Sequence, residues 1–591
     1  MKKIVFLLFL FSLSVFSQNE QLAMNYFDKG DFEKALLSYQ ELLKVQPSNS
    51  NYFQKVTDCQ QQLKQYDIAE KAIQERFDKY KQANLLIELG YNFQLKKDLP
   101  KAKKYYDDSL DRIRKNANEV YSIAQTFEKK ILIDYALQAY KLALEKEPKL
   151  NFNFQMALLY GQQGNTDMMI TTFLDEAAAT PQNSVMIQNQ LSRFMVEDAD
   201  ATFNETLRKN LLLRAQKDQN VLWNQYLSWF FVQQKDYGKA FIQEKSIYKR
   251  NPESFTNIVN LGQLAIEENE NDTAKDILTF VLDNTKDLDL LVQSHFYLMQ
   301  MRVNSAKEAD HLQIQTDLNN LLTEFSVGTY TLSLQILQAH FETFNLKNPE
   351  LGKSILKKAL ELDLDNYQTA DVKMELADIL LFEEKFNQAL IYYTQIEEDL
   401  KNDVVGHQAS LKAAKTSYFK TDFEWASKQF KELKSASTQL IANDAMEYFL
   451  LISDNTFADS TQTALKKFAR ADFQLYQNKN NEALAGFLDV LKELKEKEIE
   501  AITLYRIAKI YEKQGEYQLA LTQYQKIIAD HKEAIYTDEA LYFSAEIYNY
   551  HLKDVAKAKS LYEEVILTHE DSIYYVEARK KYRLLRGDTN L

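Results

Sequence analysis

The chain of 591 residues has one cysteine, six prolines and twelve glycines. A single cysteine, Cys59, excludes an intramolecular disulfide framework. So few turn formers over this length argue against sandwiches, barrels and Rossmann-type sheets, which need many tight turns. The sequence contains no GxxxxGK[ST], GxGxxG or GxSxG, so the usual phosphate cradles and the nucleophile elbow are missing. It contains no HExxH, and its seven histidines (295, 311, 340, 407, 531, 551, 569) are scattered, with no pair four apart to share one helix face. "EENEND" (267–272) reads as a solvated turn, and "DNTKDLD" (283–289) lacks the glycine and terminal glutamate of a calcium loop. No catalytic, cofactor-binding or metal-ligating set emerges, and the chain reads as a non-enzymatic protein. Positive charge is also short: the net charge is −14, which gives a nucleic-acid groove little support.

Long hydrophobic runs are missing except at the amino terminus. "MKK" precedes the thirteen-residue run "IVFLLFLFSLSVF", and "SQNE" follows at once. This is the pattern of a secretory signal peptide, residues 1–17, with cleavage expected after Ser17. An uncleaved tether is the alternative, although the run falls short of the ~20 apolar residues of a membrane span. No cysteine stands at the cleavage site to carry a lipid. The mature chain is expected to be exported to the periplasm, with a position peripheral to the outer membrane as a further option.

What the sequence has in quantity is helix formers and a repeat. With 45% hydrophobic and 26% charged residues, it has the composition of folded protein too long for one ordinary core. Ala35, Ala69, Ala102, Ala136 and Met169 follow one another at intervals of 33 or 34 residues, each in the same surroundings. Thirteen residues before each of these anchors stands an aliphatic (Leu22, Val56, Leu89, Ile123, Met156), followed by a small residue except for Thr57. Four after the anchors come Tyr39, Ile73, Tyr106, Tyr140 and Phe173, and Pro47, Pro148 and Pro181 close three of the units. Helices approach closely where a side chain is missing, so the small residues mark contact points. Apolar residues three and four apart give each helix one apolar stripe. Gly30, Gly164 and Gly515 suit the left-handed end of a first helix. The pattern returns at Ala240, Ala274, Ala389, Ala426, Ala483, Ala520 and Ala558.

This pattern resembles the tetratricopeptide repeat. The resemblance implies an all-α, helix–turn–helix solenoid, a right-handed superhelix of roughly 13–16 repeats, some of them degenerate. Stretches 184–220, 287–332 and 441–463 keep helical periodicity but lack the anchor, and suggest joints. The expected division is 18–215, 216–440 and 441–591. The last block, with its "EARKKYRLLR" helix, resembles envelope arrays of the BamD and Tol–Pal accessory type in Gram-negative bacteria.

In this family, function lies on first-helix residues off the packing stripe. The resemblance places Tyr91, Gln94, Gln125, Phe154, Gln162, Trp229 and Gln233 there, as a candidate groove for an extended peptide or a helix, since amides pair with backbone groups. The expected function is an exported scaffold or adaptor whose partners are proteins or peptides, outer-membrane or secretion components among them. The alternative is a peptide-recognition or substrate-delivery module of an outer-membrane assembly or secretion machine. No cofactor and no nucleic acid is expected. "RGD" (586–588) reads as chance, and the basic run 578–586 as cations near a helix C-terminus or as a contact with an anionic surface.

Overall fold

A computed structural model describes the chain apart from residues 1–18, 198–201, 219, 253–254, 437, 458–460, 494–498 and 588–591. The expected leader and Asp588 of the RGD therefore lie outside the described residues. The described residues form helices joined by short turns, with no strand among them.

One hairpin shows why. The first helix, Asn84–Leu95, brings Gly90 against the second helix, where an added Cβ would lie 2.5 Å from the Tyr106 ring. Lys97 then turns left-handed at φ 64°, and the amide of Asp98 donates back to the Phe93 carbonyl at 2.9 Å, closing the helix end. The Asp98 side chain accepts from the Lys101 amide and starts the second helix, Leu99–Lys115, with Pro100 in its first turn, where a missing N–H costs nothing. Arg112, Arg114 and Lys115 end that helix, where cations favour its dipole.

The anchors behave as packing points. Ala35, Ala69, Ala136, Ala240, Ala274, Ala389, Ala426, Ala483, Ala520 and Ala558 have no exposed surface, and Ala102 and Met169 almost none. The turn chemistry is broader than expected. Gly30, Gly164 and Gly515 do take positive φ, but the equivalent residue elsewhere is Lys64, Lys97, Ile131, Lys235, Asn269, Glu384, Thr421, Asn478 or Lys553, all left-handed. Each non-glycine costs of order 1 kcal/mol there. The back-bonded helix end holds the geometry whatever the side chain, which explains how an array of turns manages with twelve glycines.

The chain divides into two compact units, 1–222 and 223–591. In the first, small cores are built across neighbouring hairpins, as where Phe53, Ala69, Ile73, Leu85 and Leu89 meet. The stretch 184–220 holds the helices Ser184–Glu197 and Thr202–Lys217. The latter is tied past its neighbour to the earlier helix Thr166–Ala179 by Arg214 on Asp175 (2.6 Å) and Asn210 on Asp167 (3.1 Å).

In the second unit the stretch 287–332 holds Leu288–Asn304 and His311–Glu324. Their shared core is built from Val292, Met299, Ile314, Leu318 and Leu322 rather than alanine. The stretch 441–463 falls mainly in the helix Gln439–Phe457, which pairs with Phe423–Ala436. The next helix, Thr463–Tyr476, reaches back about 95 residues to Asn366–Phe382. The Tyr476 hydroxyl donates to the Asp378 carbonyl (2.8 Å) and Gln477 Nε2 to the Phe382 carbonyl (2.7 Å). Phe473 packs against Phe386 and Phe419. Nearest-neighbour stacking, the rule for solenoids, is broken here.

Candidate protein-binding surface

Tyr91, Gln125 and Trp229 occupy the same place in their units, eleven residues before the anchor. The same position holds Asp58, Gln263, Asp378, Lys415, Asp472 and Lys509. One turn earlier, fourteen before the anchor, stand Glu88, Glu375, Lys412 and Arg506. These two positions share one face of the first helix, and the structure joins them from hairpin to hairpin.

In the first unit Lys130 lies between Asp58 (2.8 Å) and Glu88 (3.0 Å), so that three successive first helices meet at one ammonium. Burial disfavours that ammonium, but the two carboxylates outweigh it and raise its pKa. Its Nζ also sits 4.7 Å from the centre of the Tyr91 ring. Gln54 donates to Asp58 at 3.0 Å.

In the second unit, Lys412 pairs with Asp378, whose other oxygen accepts from the Tyr393 hydroxyl at 2.6 Å. Lys415 pairs with Asp444 (3.2 Å). Arg506 reaches Glu447 (2.9 Å) and Asp472 (3.4 Å), with the Tyr536 hydroxyl on Glu447 and that of Tyr448 on Asp472, both at 3.2 Å. The rule linking Asp378 to Lys412 and Asp472 to Arg506 is one: an acid eleven before its anchor meets a base fourteen before the next.

A second tie lies within hairpins. The tyrosine four after the anchor donates to the residue eight before it: Tyr106 to Gln94 (2.9 Å), Tyr140 to Glu128 (2.7 Å), Tyr524 to Glu512 (2.6 Å). By position these tyrosines belong to the apolar stripe, yet their hydroxyls are hydrogen-bonded. The acidic or amide residue twelve positions earlier was the signal that their hydroxyls are used.

The candidate groove residues are therefore not equivalent. In the first unit Gln125 and Gln162 are exposed, whereas Gln94 is half-buried and committed to Tyr106. Tyr91 is half-buried beneath Lys130, and Phe154 is half-buried edge-on to Phe173 at 5.8 Å. Trp229 and Gln233 belong to the second unit, where Trp229 is half-buried edge-on to Tyr226 and Gln233 is exposed. The structure groups Tyr91 with Asp58, Glu88 and Lys130, three residues that the sequence reading did not single out. Cys59 is buried, which pushes its thiol up to about 12 and leaves it poorly suited to nucleophilic work. No cluster of three or more metal-type ligands occurs among the described residues.

The described residues form stacked helix–turn–helix units, most of them with a small residue at the crossing. Two segments match tetratricopeptide-repeat models. They are residues 19–49 and 503–534. The first contains the anchor Ala35, the second Ala520, Arg506 and Tyr524. No curated protein matches the chain in sequence. Among solved structures it is similar to a chain described as the APC/C hetero-tetramer Cut9–Hcn1, at 13% identity, covering 96% of each chain, with a TM-score of 0.23. Tetratricopeptide repeats are protein-interaction units, and the polar first-helix faces suit protein–protein contact.

Beside the Arg506 cluster sits Glu539. Burial, with Asp538 and Glu447 nearby, pushes its carboxyl up to about 7, against Arg506 and Lys509. A carboxylate raised in the folded state contributes stability at low pH that is lost as pH climbs from its unfolded value of about 4.5 through 7. Glu539→Gln should therefore be more stable than the parent at pH 8, by about 1–3 kcal/mol, with the difference vanishing near pH 5. Urea melts at the two pH values check this, and a pH-independent difference would contradict it.

Proposed function

We propose that the chain is an exported, non-enzymatic scaffold of the cell envelope that holds partner polypeptides against its first-helix faces. The observation that carries the reading is the state of those faces. Their acids and bases neutralise one another from hairpin to hairpin, at 2.8 and 3.0 Å around Lys130. What they offer outward is amide and aromatic, as at Gln125 and Gln162. Such a surface bonds backbone groups without demanding a particular charge. The amino-terminal "MKK" and apolar run support export, and no helix among the described residues is long and apolar enough to cross a membrane. The resemblance of the C-terminal block to envelope arrays supports a partner in outer-membrane assembly or secretion.

Photo-crosslinking in cells tests both parts. A crosslinking residue at Gln125 or Gln162 is expected to capture polypeptide partners from the envelope fraction, and one at Lys104, exposed on a second helix, is not. Equal capture from both faces would refute the surface. Recovery from the cytosol with its first seventeen residues intact would refute the location.

A further inference from the structure

The basic run 578–586 has two readings in the sequence, and the structure separates its cations. They stand on the helix Tyr575–Arg586, which carries Arg579, Lys580, Lys581, Arg583 and Arg586 against one acid, Glu577. Lys581 is engaged inward, where its ammonium donates to Glu546 at 2.7 Å and to the Tyr542 hydroxyl at 3.0 Å. Arg583 and Arg586 occupy the last turn, where the helix dipole favours them. Arg579 and Lys580 have neither role. Both are exposed and make no ion pair among the described residues. They also stand more than a turn short of the helix end, beyond the reach of its dipole.

Aliphatic side chains share this side of the helix. Val576, Lys580 and Leu584 follow at intervals of four, down one face, with Arg579 and Arg583 in the neighbouring column. Val576 is 74% exposed and Leu584 60%, and Ile573, in the turn that leads into the helix, is 70% exposed. Ala578, Tyr582 and Leu585 take the opposite side, in the core with Tyr562 and Val565. The acids nearby are placed elsewhere. Glu577 is half-buried in the first turn, and Glu570 and Asp571 precede the helix at its N-terminal end, where the dipole favours acids. Glu563 accepts from the Tyr582 hydroxyl at 2.7 Å.

We propose that this face lies on a lipid bilayer with anionic headgroups. Ile573, Val576 and Leu584 enter the boundary between headgroups and acyl chains, and Arg579 and Lys580 meet the phosphates. A helix lying in the plane of an interface needs aliphatics and cations combined in this way. Each cation near an anionic bilayer strengthens binding roughly fivefold. The place of Lys580 between two aliphatics favours lipid over a protein partner. Lysine is depleted from the centres of protein–protein interfaces, whereas at a bilayer its stem lies along acyl chains while the ammonium reaches the headgroups. Aliphatics at 60% exposure or more also stand clear of any groove that would grip one peptide. The face shares no residue with the first-helix surface, so this binding and the capture at Gln125 can succeed or fail separately.

The test uses the full mature chain, from residue 18, so that the apolar run 4–16 cannot itself enter lipid. Vesicles of phosphatidylcholine with phosphatidylglycerol are expected to carry the protein down on centrifugation, and vesicles of phosphatidylcholine alone to bind it at least tenfold less well. Arg579→Glu with Lys580→Glu should weaken binding to the anionic vesicles at least tenfold without moving the melting temperature, because both side chains are exposed. Val576→Gln with Leu584→Gln should weaken it as well, again with an unchanged melting temperature. A polarity-sensitive dye on Val576→Cys should shift to the blue when anionic vesicles are added, and the same dye on Lys104→Cys should not. The native Cys59 is buried and escapes labelling. Absence of binding to anionic vesicles would overturn the proposal and leave the face to a protein partner. Equal binding to both kinds of vesicle, or unchanged binding by the double charge variant, would overturn it too. So would a dye at position 576 that stays in water while the protein is vesicle-bound, which would place the lipid contact on another face.

Discussion

Arg506→Met is expected to lower the stability of the 223–591 unit by about 3–5 kcal/mol, the usual cost of removing one partner from a buried ion cluster. Arg506 is the cation that meets both Asp472 and Glu447. Asp472 is buried, and burial already raises its pKa against the pull of Arg506. Without the guanidinium, two carboxylates share a site of low polarity, and the tyrosine hydroxyls on them donate one hydrogen bond each without charge. The defect should depend on pH in a set direction. Losing Arg506 raises the folded pKa of Asp472 further, so the deficit shrinks towards low pH, where that carboxylate takes up a proton, and is largest at pH 8. Because removing both partners costs less than orphaning one, Arg506→Met with Asp472→Asn should recover more than half of the loss. Urea unfolding followed by far-ultraviolet circular dichroism measures all three. A loss below about 1 kcal/mol, or a double variant no better than the single, would mean that the cluster is solvated in practice.

Ala520→Trp is expected to unfold the neighbouring hairpins locally and to cost about 3 kcal/mol or more, at or beyond the upper end of ordinary overpacking. Ala520 has no exposed surface, and its helix, Tyr517–Asp530, lies against Ile499–Gln514 at close range. An indole at that crossing forces the helices apart and pulls Tyr524 off Glu512. In a repeat array, stability is shared with nearest neighbours, so hydrogen exchange should accelerate between about 499 and 568 and stay unchanged in the 1–222 unit. Lys532→Trp, on an exposed position nearby, is the control for the indole itself. Unchanged helicity and exchange in Ala520→Trp would show that the anchor is not a packing position.

How far these features were legible depends on how local they are. The anchors, the aliphatic and small residues thirteen and twelve positions before them, and the left-handed turns at Gly30, Gly164 and Gly515 could be read because each lies inside one 34-residue unit and recurs. The left-handed Lys97 and Ile131 could not, since nothing in those side chains asks for positive φ and the helix end imposes it. The polar ladder was half legible. Tyr91, Gln125 and Trp229 pointed to the right helix position, and the charges of Asp378, Asp472 and Arg506 stood in the same columns. Their pairing needs the distance between one hairpin and the next. Gln94 went the other way, an apparent surface amide taken up by Tyr106.

The sequence by itself determined that the chain is an array of helical hairpins, because the small-residue crossings and apolar stripes are written once per unit and need no distant partner. Tertiary structure alone decided where that array leaves its rule. Tyr476 and Gln477 bond to Asp378 and Phe382, about 95 residues earlier. They depend on how bulky side chains such as Phe473, against Phe386 and Phe419, fit across helices distant in sequence. Periodicity records which face of a helix is apolar, but not which other helix covers it.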